Sequence, residues 1–304
     1  MPNPEDLYQL EGSPPQLTRP VLLHGFDGFI DAGSAGQLVR DHILDSLEHR
    51  VIARFDVDQL LDYRARRPVM TYDKDHWAAY EAPEIVLRVV HDAADVPFLF
   101  LTGPEPDRLW EGFVAAVRSL IERFGVSLTV YGHGIPMGVP HTRPLGVTSH
   151  GSRPELVADN PHWFGRVEVP GSIAGLLELR LGEAGHDAVG FAVHVPHYLS
   201  QTAYPAAAVT ALESVVGATG LAIPADKLRE AAARTDADIA EQVADSEEVM
   251  KVVKALEQQY DAFAGSVERD TLLAQEQDMP TADELAAQFE RFLAEQDGPS
   301  EQGP

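Results

Sequence analysis

The chain has 304 residues, no cysteine and a formal net charge of −25. Without cysteine it cannot form disulfides, use a thiolate nucleophile or bind zinc through sulfur. Its excess of carboxylates repels phosphate backbones and anionic lipids, so we expect neither nucleic acid nor a membrane as a partner. The first residues are acidic and interrupted by proline, unlike a signal peptide, and we expect a cytoplasmic protein.

Short apolar runs alternate with longer helical patterns from Pro20 to about Gly220. This alternation is typical of a mostly parallel sheet that helices cover on both faces, so we predict an α/β fold. The predicted strands are 21–25, 51–57, 85–90, 98–102, 127–131, 163–167 and 188–195. The predicted helices are 34–48, 107–124, 172–184 and 206–218.

After Ile223 the composition changes to alanine, glutamate, glutamine and aspartate, and strand patterns disappear. Helices are predicted from Pro224 to Ala240, from Ser246, and from Thr281, where a capping box begins the last one. We therefore predict four segments along the chain. They are an N-terminal extension (1–19), an α/β core domain (20–222), a C-terminal helical subdomain (223–296) and a disordered tail (297–304).

The first predicted strand leads into a glycine-rich turn that contains Asp27, Asp31 and Gly33. Such a turn before a helix is where α/β proteins place binding sites, because backbone N–H groups and a positive helix end converge there. The turn has neither phosphate-binding glycine pattern, and its two carboxylates would repel a phosphate. We predict that these three residues bind a ligand or a partner, and we expect no cofactor.

Residues 22–26 resemble the His-Gly oxyanion strand of the α/β-hydrolases. Such an enzyme also needs a Gly-x-Ser-x-Gly nucleophile elbow between a strand and a helix. The best-placed candidate, residues 130–136, has Gly134 at the serine position, and Pro136 would interrupt the helix that should follow. We therefore assign no catalytic residue.

Histidines are concentrated after the strand predicted at 127–131 and at the end of the strand predicted at 188–195. Three neutral histidines can hold a catalytic zinc ion, but no spacing here matches a compact metal motif, so we expect no metal site. His133, His141 and Arg143 are predicted binding residues. Arg143 could clamp an anion, or it could neutralise Asp27 or Asp31, and we favour the internal pair. The five histidines in these two places are His133, His141, His150, His194 and His197.

Two further stretches suggest protein contacts. Trp77 and Tyr80 lie in an acidic, aromatic segment at 72–81, which could line a pocket but more often forms a β-arm or a loop packed on a neighbour. The acidic helices after residue 223 form either a solvated surface or a docking face for a basic partner. Because the apolar stripes and the aromatic segment need to be covered, we expect a homo-oligomer.

Four motifs occur in the order seen in one known family: Gly25-Phe26 with Asp31-Ala32-Gly33, then Gly134-Ile135-Pro136, then residues 139–144, then residues 170–177. Together they resemble the proteasome assembly chaperone 2 family in its longer actinobacterial form. The resemblance implies a three-layer α/β/α sandwich similar to nucleoside phosphorylases and peptidyl hydrolases, without their established catalytic residues.

Archaeal and eukaryotic members of that family bind proteasome α-subunits, some of them through a C-terminal hydrophobic-Tyr-x ending that residues 301–304 do not carry. The resemblance thus implies a non-catalytic, assembly-chaperone-like protein that binds proteins, with proteasome subunits as candidate partners. For the expected homo-oligomer, the guess is a trimer. The alternative is a hydrolase or nucleosidase-like enzyme that uses Asp31 with the His133, His141 and Arg143 loop.

Overall fold

The structure, a computed structural model, describes residues 3–13, 15–28, 30–157 and 166–264. Ten strands and seven α-helices occur within these residues. The strands are β1 (Tyr8–Leu10), β2 (Val21–Asp27), β3 (His49–Phe55), β4 (Met70–Asp73), β5 (His76–Tyr80), β6 (Val86–His91), β7 (Pro97–Pro104), β8 (Leu128–Met137), β9 (Val147–Gly151) and β10 (Ala188–Pro196). The helices are α1 (Ala35–Ser46), α2 (Val57–Leu60), α3 (Trp110–Phe124), α4 (Ile173–Glu183), α5 (Pro205–Thr219), α6 (Asp226–Ala244) and α7 (Glu247–Ala264).

Among the described strands, eight form one sheet in the order β1-β3-β6-β7-β2-β8-β10-β9. The central neighbours β7, β2, β8 and β10 are parallel to one another. The outer pairs are antiparallel, which leaves β3 running with the four central strands. The predicted α/β class with a mostly parallel sheet is confirmed, and the carboxyl ends of the four central strands meet at one edge.

Helices cover both faces of this sheet because successive strand residues point to opposite sides. On β2, Leu22 packs in a core with Phe113 of α3 and Leu177 of α4. The next residue, Leu23, packs on the other face in a core with Leu212 of α5. This arrangement is the three-layer sandwich that the family resemblance implied.

The C-terminal segment is helical in the described part, as its composition predicts. Helix α6 packs on α5, and α7 follows it. The predicted helix from Thr281, the tail from Asp297 and residues 163–165 of the predicted strand 163–167 lie outside the described residues, and Arg166 and Val167 are not in a strand. Strand β1 comes from the predicted N-terminal extension and pairs with β3. The four-segment division stays a prediction.

Strands β4 and β5 form a separate antiparallel hairpin that overlaps the aromatic segment at 72–81, for which an arm or a loop is predicted. None of the helices in the described ranges combines the length and the apolar character that a membrane span requires.

Candidate functional site

The central parallel strands diverge toward their carboxyl ends. Strands β2 and β8 pair only as far as Leu23 and Val130. Beyond this point β2 stays with β7 up to Pro104, and β8 stays with β10 up to Met137. The resulting crevice lies where open α/β sheets bind their ligands.

Strand β8 therefore continues through the segment that resembles a nucleophile elbow. Residues 132–137 pair in register with β10, so Gly134 lies within a strand and not at a strand-to-helix turn. The predicted end of this strand at Tyr131 is wrong, because pairing with β10 holds glycine, histidine and proline residues in extended conformation. Pro136 fits because the side of β8 that faces β2 is already unpaired there.

Asp31 connects the crevice to the start of α1. Its Oδ1 accepts hydrogen bonds from the backbone N–H of Gly36 at 2.9 Å and of Gly134 at 3.0 Å, and its Oδ2 accepts one from Gln37 at 2.9 Å. Burial raises the pKa of the Asp31 carboxyl, while these three donors favour the charged form. Both carboxylate oxygens thus hold the turn, α1 and β8 together.

Gly33 gives the same turn its shape. Its φ is +66°, and a Cβ at this position would lie 2.9 Å from Cβ of Tyr204. Its N–H donates to the Ser200 carbonyl at 2.9 Å, and its own carbonyl accepts from the Tyr204 N–H at 2.8 Å. Glycine is therefore required here by close packing and by a left-handed conformation.

The negative charge of Asp27 is neutralised by Arg40 of α1, whose guanidinium binds its carboxylate. The predicted pair between Arg143 and Asp27 or Asp31 is therefore wrong. Arg143 instead binds Asp261 of α7 through two bonds of 2.8 and 2.7 Å, and Glu257 at 3.3 Å. The sequence offers no signal for this choice, because 118 residues separate Arg143 from Asp261.

His141 lies in the same loop as Arg143. Its Nδ1 is 2.7 Å from the Tyr198 hydroxyl, which also accepts a 2.9 Å hydrogen bond from the backbone N–H of His141. The hydroxyl of Tyr260 in α7 donates to the carbonyl of Pro144 at 3.0 Å. This loop is therefore the surface on which α7 packs.

We expect Arg143→Ala to loosen α7 without unfolding the sandwich, because it removes the bidentate pair that joins the helix to the loop. Hydrogen exchange should become at least several-fold faster across residues 250–262 and stay unchanged in β2 and β8. Arg118→Ala is a control, since it removes an exposed arginine that pairs within α3. Equal exchange in R143A and wild type would show that the pair does not hold α7.

The structure brings together three of the six predicted site residues. Asp27, Asp31 and His133 line one cavity of about 620 Å³, and both aspartates also line an adjoining depression of about 760 Å³. Gly33, His141 and Arg143 line neither. The enzyme alternative requires Asp31 to meet all three loop residues in one pocket, and the contacts of His141 and Arg143 are elsewhere. That the six residues bind a ligand or a partner stays a prediction.

Sequence reasoning missed four polar residues of this region. Arg40, Tyr131, Glu105 and Glu178 line the cavity or bind a residue that does. Glu105 is buried, and its Oε1 accepts a 2.6 Å hydrogen bond from the N–H of Ile173 at the start of α4. Its position just after a predicted strand, at the same sheet edge as Asp27, is the signal that could have identified it.

Histidines do not assemble into a metal centre in the part of the chain that the structure describes. Within those residues no three histidine, aspartate or glutamate side chains are arranged to hold a metal ion. His150 is held by Glu178, and His194 has its Nε2 2.7 Å from the Thr148 hydroxyl.

A mostly parallel sheet between two helical layers, with a crevice at the carboxyl edge, defines the class of α/β/α sandwich proteins. The sequence profile of the PAC2 family matches residues 25–243. The chain therefore belongs to the PAC2 family. A search of the curated proteins found no match.

Solved structures show the same architecture. A Mycobacterium tuberculosis protein of unknown function is 47% identical, with a TM-score of 0.81, and the alignment covers 87% of this chain and 93% of that protein. A Corynebacterium glutamicum protein of unknown function is 39% identical, with a TM-score of 0.82 and coverage of 86% and 99%. A proteasome-assembly chaperone homologue from M. tuberculosis is 26% identical, with a TM-score of 0.71 and coverage of 77% and 99%.

Proposed function

We propose that this protein is a non-catalytic, assembly-chaperone-like factor that binds other proteins, with proteasome subunits as the first candidates. Membership of the PAC2 family and the likeness to a proteasome-assembly chaperone homologue support this proposal. The observation that carries it is the exposed acidic surface at residues 241–248, where α6 ends and α7 begins.

The hairpin presents apolar side chains to solvent instead of to the core. Trp77 is 64% exposed and Tyr72 56% exposed, and their rings pack edge to face across the two strands at 5.2 Å. Val69, Met70 and Tyr80 are also exposed. Tryptophan, tyrosine and methionine are enriched in protein interfaces, and contiguous apolar patches on a folded chain mark contact sites. We infer that this hairpin binds a second copy of the chain, which gives the expected homo-oligomer.

An acidic patch suits a different partner. Glu241, Asp245, Glu247 and Glu248 are exposed where α6 ends and α7 begins. A second copy of a chain with a net charge of −25 would be repelled here. The patch therefore favours a basic surface on another protein.

Two variants test the two surfaces separately. We expect Tyr72→Ser with Trp77→Ser to weaken self-association at least about 10-fold, because buried aromatic anchors dominate interface energies. Sedimentation at micromolar concentration measures this.

We expect Glu241→Lys with Asp245→Lys to abolish capture of proteasome subunits from native cytosol, measured by mass spectrometry of the bound proteins. Lysine is favoured at the end of a helix, so α6 should stay folded.

Val96→Ser is the matched control, since Val96 is exposed in the turn between β6 and β7. It should leave both assays unchanged. A wild-type protein that sediments as a monomer would remove the role of the hairpin. Captured proteins without any proteasome subunit would contradict the proposed partner.

A further inference from the structure

The 620 Å³ cavity lies on the sheet face that α4 covers, between the sheet and the first turn of that helix. On this face, Gly190 and Ala192 of β10 pair with Tyr131 and His133 of β8. The short side chain of Ala192 lines the cavity, and the space above Gly190, which has no side chain, holds the rings of Tyr131 and His150. A Cβ at Gly190 would overlap the rings of His150 and Tyr131, so glycine is required here for these two rings to meet.

Aromatic and imidazole rings form a continuous wall of this cavity. His24 stacks on Tyr131 with centroids 4.7 Å apart, and Tyr131 lies nearly parallel to His133 at 5.7 Å. His150 meets the edge of Tyr131 at 5.6 Å. Phe26 also lines the cavity. Such a wall favours a flat, unsaturated ligand that can stack or pack edge-on against it.

Each of the three imidazoles has one nitrogen that a ligand cannot use. His150 Nδ1 is bound by both oxygens of Glu178, at 3.0 and 2.9 Å, so Nδ1 is the donor and Nε2 an acceptor. The Nδ1 atoms of His24 and His133 are buried without a hydrogen-bond partner in the described structure. Because an orphaned N–H is rarer than an orphaned acceptor, the proton of each ring belongs on Nε2. The wall therefore offers two donors and one acceptor.

The charges around the cavity disfavour anions. Asp27, Asp31 and Glu105 line it, and Arg40, which also lines it, is already paired with Asp27. Glu105 also occupies the start of α4 through the Ile173 N–H, where an anion would otherwise bind. Burial lowers the pKa of His24 to about 3 and of His133 to about 4, so both rings are neutral at pH 7.

We propose that this cavity binds an uncharged, planar heteroaromatic molecule that packs edge-on against this wall of rings, accepts hydrogen bonds from His24 and His133, and donates one to His150. The proposal is independent of the exposed hairpin and of any protein partner.

Three small probes of similar shape test the chemistry. Benzimidazole is neutral at pH 7.5 and has one N–H donor and one acceptor, indole has only the donor, and benzoate is an anion. We expect benzimidazole to bind to the full-length protein with a Kd of about 1 mM or tighter, and benzoate at least 10-fold more weakly. Indole should bind with intermediate affinity. Titrations followed by the histidine Cε1–H signals in NMR measure affinity and location together, since His24, His133 and His150 should shift.

A pair of variants on α4 locates the site. Ala174→Phe fills the cavity from the first turn of α4 and should weaken benzimidazole binding at least 10-fold. Leu179→Phe, on the exposed side of the same helix, should leave it unchanged. The proposal is overturned if benzoate binds as well as benzimidazole, if neither neutral probe binds, or if A174F binds like wild type.

Discussion

We expect Gly134→Ser to destabilise the fold around the crevice and to create no nucleophile. A Cβ at this position would overlap the carbonyl oxygen of Ala32 and lie 3.0 Å from Cγ2 of Val195. The Gly134 N–H also donates to Asp31, so a shift of β8 would break that bond as well. Overpacking and loss of a buried hydrogen bond should together lower the free energy of unfolding by about 3 kcal/mol or more.

Thermal and urea denaturation measure this loss, with an expected fall in melting temperature of about 5 to 10 °C. Gly138→Ser is the matched control, because a Cβ there would meet nothing within 4 Å. A G134S protein that melts like wild type would contradict the packing described for this strand. Labelling of that serine by a fluorophosphonate would restore the elbow hypothesis.

Acid should destabilise this protein below about pH 6.5 through its buried imidazoles. Burial lowers the folded-state pKa of His24 to about 3, with a smaller contribution from His133, while an unfolded histidine titrates near 6.5. Between these values the unfolded chain binds a proton that the folded chain excludes, so the free energy of unfolding falls as pH falls. The slope contributed by His24 should reach about 1.4 kcal/mol per pH unit.

His24→Phe keeps an aromatic ring against Tyr131 and removes this titration. We expect urea denaturation between pH 6 and 4.5 to give a flatter loss of stability for H24F than for wild type. Asp31 acts in the opposite direction, because its pKa is raised in the folded state, so the difference between variant and wild type is the quantity to compare. His49→Gln is the control at an exposed histidine outside the hairpin. Parallel pH profiles for H24F and wild type would show that His24 is not buried in the neutral form.

Elements with strong local patterns could be predicted closely. Apolar residues at helical spacing place α3, and Gly125 ends it with a φ of +64°. Ser172 caps α4 by accepting a hydrogen bond from the Gly175 N–H. By contrast, the sequence predicts a histidine-rich loop where β9 lies and a turn where β8 ends. Both segments contain few strand-forming residues. They are extended because β10 lies between them and pairs with β8 on one side and with β9 on the other.

By itself, the sequence determined the alternation of strands and helices, the two-sided apolar core, the acidic character and the position of the glycine-rich turn. These properties depend on side-chain periodicity and composition, which are local. Only the tertiary structure decided which charges meet: Asp27 with Arg40, Arg143 with α7, and Glu105 with the start of α4. It also decided that His24, His133 and His150 line one cavity, because that cavity lies where β2 and β8 diverge. The order and pairing of the strands depend on contacts between distant parts of the chain, which local patterns do not contain.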